Sequence, residues 1–130
     1  MRVTKEDGAD LGLVRLALIR NAITLDEAIV WACSVVADTD APHEAFFALM
    51  DAETKLDWMK HGAWGYDDTL GRSQSDALRG LAYLRGMPFD TRHDDETPED
   101  VALRALKTNP ELVARLRRVM PLADLPKETV

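Results

Sequence analysis

The stretch NAITLDEAIVWACSVVADTDAPHEAFFALMDA, residues 21–52, carries the clearest architectural signal in the chain. Thr24 stands three residues before Glu27, the T-x-x-E spacing in which a hydroxyl accepts one free N–H of the first helical turn and the carboxylate returns to the cap. A helix starts there. Its apolar positions Leu25, Ala28, Ile29, Ala32, Cys33 and Val36 follow the i, i+3, i+4, i+7 pattern, which predicts a buried stripe with Cys33 as a small hydrophobe on it. Asp38 to Asp40 close the helix. Asp40 then precedes Pro42, a cap acceptor ahead of a proline whose missing N–H costs nothing in a first turn. The next helix is predicted over 42–52, with Phe46, Leu49 and Met50 inward.

On the N-terminal side, LGLVRLALIRN (11–21) is apolar over more than half of a helical surface and predicts a mostly buried helix, joined to the next by a tight turn. On the C-terminal side, ETKLDWMK (53–60) is either a continuation or a short fourth helix with Leu56 and Met59 inward, stopped by Gly62. Residues 61–73, rich in glycine, read as the main irregular loop. Ser73 or Ser75 caps a helix reaching about 85, with Leu78, Leu81, Ala82 and Leu84 apolar; Gly86 and Pro88 end it. After the polar connection 89–96, Thr97-Pro98 and Asn109-Pro110 start two more helices, to about 107 and 119. No segment alternates with the period of an exposed strand. The expectation is an all-α, compact single-domain bundle of six or seven short helices over 1–130, with 1–9 and 122–130 loosely held.

Composition narrows the function classes. A chain of 130 residues has room for one core, and no apolar run approaches the roughly 20 residues that cross a bilayer. Against 16 Lys and Arg stand 23 Asp and Glu, a formal charge of −7 that repels nucleic acid and anionic lipid and attracts basic partners. Cys33 is the single cysteine, which excludes an intrachain disulfide and a multi-cysteine zinc site. The opening MRVTKEDGAD lacks an apolar leader core, which sets the expectation of a cytoplasmic protein. His43, His61 and His93 are far apart and fit no metal-ligand spacing, and DTD (38–40), YDD (66–68) and HDDE (93–96) lack the frame of a calcium loop. No phosphate-binding glycine loop or serine elbow is present. No metal, no cofactor and no catalytic residue is expected.

The charge is localised. Residues 23–71 carry ten acidic and two basic groups, so the negative excess belongs to this block. It also holds Trp31, Trp58, Trp64 and Tyr66. Trp31 lies at the margin of its helix's apolar stripe, and Trp58 falls one step off the side of Leu56 and Met59. Partly exposed aromatic rings amid acids describe a protein-binding surface, which assigns Trp31, Asp57, Trp58, Trp64, Tyr66, Asp67 and Asp68 to partner contact. The plainer reading is a solubilising surface with acids favoured at helix starts, the tryptophans closing the core.

Through Thr24, Glu27, Trp31, Ala32, Pro42 and Phe46, the 21–52 hairpin resembles small all-helical bacterial immunity-type proteins of toxin–immunity pairs. The likeness spans about a quarter of the chain and brings no catalytic residue. It implies an inhibitor that covers a basic toxin domain, its acids imitating substrate phosphates. Two other classes stand beside it. One is an adaptor or regulatory module in a cytoplasmic assembly, including a homodimer formed through the apolar helices. The other is a small enzyme with a site near His61 and Asp67-Asp68.

Overall fold

In the computed structural model, residues 9–39, 44–63, 65, 69–87, 97–123 and 125 are described. They form seven helices and, among the described residues, no strand: α1 (Ala9–Ile19), α2 (Leu25–Asp38), α3 (Ala45–Met50), α4 (Lys55–His61), α5 (Arg72–Leu84), α6 (Glu99–Thr108) and α7 (Pro110–Val119). The chain is a compact, all-helical single domain, as its periodicity predicts. The Asp40 and Pro42 start of the third helix lies outside the described residues.

Helix α1 is the hub. Leu11, Leu13, Val14, Ala17 and Leu18 are all buried, because α1 packs against α2, α4, α5 and α7 and so needs apolar residues on most of its surface. Its end is a Schellman turn: Asn21 adopts φ 63°, its N–H bonds the Leu18 carbonyl at 3.1 Å, and the Ala22 N–H bonds the Ala17 carbonyl at 2.8 Å. Asn tolerates this left-handed position better than most residues because its short side chain relieves the cost.

The Thr24 box forms as its spacing predicts. The Glu27 N–H donates to Thr24 Oγ1 at 3.1 Å, and the Thr24 N–H donates to Glu27 Oε1 at 2.9 Å. Glu27 is also gripped from outside its helix by the Arg85 guanidinium, Nη1 to Oε1 at 2.8 Å and Nη2 to Oε2 at 2.7 Å, while Arg85 Nη1 reaches the Ala22 carbonyl at 2.7 Å. The start of α2 is thereby tied to the end of α5.

Helices α2, α3 and α4 each place one ring in a shared cluster. Trp31 tilts against Phe46 at 5.7 Å and against Trp58 at 6.4 Å between centroids. This corrects two expectations. Trp31 is 2% exposed and Trp58 0%, so neither is a partly exposed ring. In α4 it is Trp58 that faces inward, while Leu56 is 73% exposed. A seven-residue helix offers too few positions for periodicity to choose a face, and the larger apolar area of tryptophan decides it. Likewise α2 buries Ala28, Trp31, Ala32 and Val35, and Cys33 is exposed instead of lying in the core. The stripe is turned toward Trp31.

On the other side, α5 and α6 form the most extensive helix pair. They run antiparallel: Tyr83 Oη donates to the Thr97 carbonyl at 3.1 Å near one end, and Asn109 Nδ2 donates to Ser73 Oγ at 2.9 Å near the other. Midway, a Cβ on Gly80 would lie 2.4 Å from the Ala102 carbonyl oxygen. The backbones touch there, and only glycine permits it. Neither Ser73 nor Ser75 caps α5; both lie inside it, and Gly71 takes the cap position with its N–H donating to Gln74 Oε1 at 3.0 Å. Arg20, only 5% exposed, seals the junction of α1, α5 and the start of α6, its Nη2 donating to Thr97 Oγ1 at 2.9 Å and lying 3.4 Å from Asp76 Oδ1. Thr97 therefore serves this buried network and not the cap of α6, whose cap residue is Pro98. After α7, Leu125 is buried and joins the hydrophobic core.

Candidate protein-binding face

The aromatic cluster sets the orientation of α2, α3 and α4 and so determines which side chains they turn outward. Asp26 and Asp38 on α2, Glu44 at the start of α3, and Asp51 and Glu53 between α3 and α4 are all exposed. None of these five carboxylates has an ion-pair partner among the described residues. Two other acids of the block are engaged internally. Glu27 is bound to Arg85 and Thr24. Burial of Glu27 pushes its carboxyl up, but the Arg85 hydrogen bonds, the Thr24 backbone bond and the Arg85 charge together hold it below its ordinary value of 4.5. Asp57 sits in the first turn of α4, where its N–H donates to Thr54 Oγ1 at 3.0 Å and its Oδ2 accepts from the Glu53 N–H at 3.4 Å. One turn later His61 Nε2 approaches Asp57 Oδ1 at 3.4 Å. Asp57 is thus a helix-start acid first.

Of the residues the sequence assigns to partner contact, Trp31 and Trp58 are buried in the aromatic cluster and Asp57 is half-exposed at the start of α4. Trp64, Tyr66, Asp67 and Asp68 lie outside the described residues, as do His43 and His93. Among the described residues no three His, Cys, Asp or Glu side chains come together as a metal-binding group.

The geometry adds a feature that the sequence reading passed over. Helix α2 is apolar nearly all round, yet only its Trp31 side is covered. On the opposite side Asp26, Val30, Cys33 and Ala37 form an exposed i, i+4, i+7, i+11 stripe, with Val30 44% exposed. Next to it, the turn after α7 leaves a recess of about 130 Å³, floored by Trp31 and walled by Val30, Met120 and Leu122, with Asp26 and Glu27 contributing from the first turn of α2. Leu122 is 72% exposed. The signal was present in the scarcity of polar residues in LDEAIVWACSVVAD, since a helix with one buried face ordinarily has a polar opposite face.

Among the described residues no helix is long and apolar enough to cross a membrane. Comparison with protein-family models, with curated proteins and with solved structures finds no match to this chain.

Proposed function

We propose that this chain is a non-catalytic protein-binding module that presents an acidic helical face to a basic partner, most concretely an immunity-type inhibitor that covers a basic toxin domain. The observation that supports this reading is the set of five exposed carboxylates on α2, α3 and the α3–α4 turn without ion-pair partners among the described residues. Exposed like charges repel one another and weaken the free monomer slightly; a basic partner relieves that repulsion and is drawn in faster by the same field. An adaptor role in a larger assembly would use the same face. The buried Trp31 and Trp58 act by holding α2, α3 and α4 in register, so their truncation is expected to harm folding before it harms affinity.

The test starts from the neighbouring reading frame. If it encodes a protein with a basic C-terminal toxin domain, that domain is titrated with the full chain. Inhibition should be complete at one equivalent, and His61→Ala should leave it within a few-fold. Protection by a small fraction of an equivalent, abolished by His61→Ala, would mean turnover and would replace this reading with an enzymatic one.

A further inference from the structure

We propose that the outer stripe of α2, together with the recess beside Leu122, is the docking site itself, and that its occupant is an amphipathic segment of a basic protein whose apolar ridge is flanked by Lys or Arg. The proposal rests on the acidic-face reading above and assigns it a place and a partner chemistry. Val30, Cys33 and Ala37 give an exposed apolar track on a helix otherwise anchored by its Trp31 side. From Asp26 to Ala37 the track runs about 17 Å at 1.5 Å per residue, the length of three helical turns. The recess beside Val30 is large enough for several waters, and its apolar floor and walls suit one large apolar side chain better.

Charge selects the occupant. Exposed Asp26 lies on the track at its first turn, and exposed Asp38 ends the helix one residue after Ala37, about 100° around from it, neither with an ion-pair partner among the described residues. A second copy laid antiparallel would set Asp26 of one molecule against Asp38 of the other, and both molecules carry −7. Like charges at both ends oppose that pairing. A segment with cations at the two ends of an apolar ridge satisfies the carboxylates and covers the track together.

The single cysteine provides the readout, because an occupant of the track must cover Cys33. The full chain is mixed with three synthetic helical peptides: one with a three-turn leucine ridge and lysines at both ends, the same peptide with glutamates at the ends, and a scrambled lysine peptide. The rate of Cys33 modification by an aromatic disulfide reagent is followed. The lysine-flanked ridge peptide should slow modification saturably by tenfold or more, and the other two should not. Val30→Asp, a change at an exposed position, should abolish protection while leaving the helical circular dichroism intact. Lysine-peptide binding that leaves Cys33 reactive and is unaffected by Val30→Asp would overturn the site while leaving the acidic-face reading standing. Equal protection by the glutamate-flanked peptide would overturn the charge argument, and with it both readings. Absence of binding by any peptide, or Cys33 shielded without peptide in a concentration-dependent dimer, would overturn the proposed occupant.

Discussion

Glu27 does three tasks with one carboxylate: it closes the Thr24 box, accepts a bidentate pair from Arg85 and contributes to the rim of the α2 recess. Only the first was legible in the sequence. The T-x-x-E spacing is local, whereas Arg85 is 58 residues away and no pattern marks it as Glu27's partner. Thr24→Ala removes the cap acceptor and should lower stability by about 1 kcal/mol in chemical denaturation; an unchanged midpoint would contradict the cap. The carboxyl also makes stability depend on pH. Its folded pKa lies below its ordinary value, so the unfolded chain takes up the proton first as pH falls. Its contribution is complete above the ordinary value of 4.5 and is lost as pH drops through the folded pKa. Glu27→Gln should therefore show a shallower loss of stability than the wild type between about pH 5 and pH 3, measured by denaturant melts at each pH.

Among the elements, helix starts and stops were easier to read than helix faces. Proline at the first position of α7 and Gly86 at φ 66° after α5 impose local backbone geometry that any surroundings must respect. Faces are set by packing. In α2, apolar residues occur at so many positions that stripes centred on Ile29 and on Trp31 fit the period equally, and the ring cluster with Phe46 and Trp58 chooses between them. Buried Arg20 and Arg79 were equally hidden, because an isolated arginine in sequence reads as a surface charge. The α5–α6 crossing gives the sharpest element-scale expectation. Gly80→Ala would gain about 1 kcal/mol of helix propensity, yet its methyl would lie 2.4 Å from the Ala102 carbonyl oxygen. Forcing the helices apart costs roughly 1–3 kcal/mol and outweighs the gain, so the thermal midpoint should fall. A raised midpoint would show that the two backbones do not meet there.

At the scale of the whole molecule, charge and packing divide the labour. Helices α2, α3 and α4 carry exposed acids without ion-pair partners among the described residues around an aromatic cluster, while α5, itself paired with α6, packs against α1. The acidic block was visible as a count of charges. Which acids face outward was only partly legible: Asp57 is engaged by its sequence neighbours Thr54, Glu53 and His61, whereas the exposure of Asp26, Asp38, Glu44, Asp51 and Glu53 and the Arg85 grip on Glu27 are set by tertiary packing. The central claim is that these exposed acids draw in a basic protein. Its most direct test is the association rate with a basic toxin domain from the neighbouring reading frame, followed by stopped flow as ionic strength rises from about 0.05 M to 0.5 M. The rate should fall by roughly tenfold or more for the wild type, and should be both slower and less salt-dependent for the Asp26→Lys, Asp51→Lys, Glu53→Lys triple variant. A rate indifferent to salt, and equal in the triple variant, would contradict the claim.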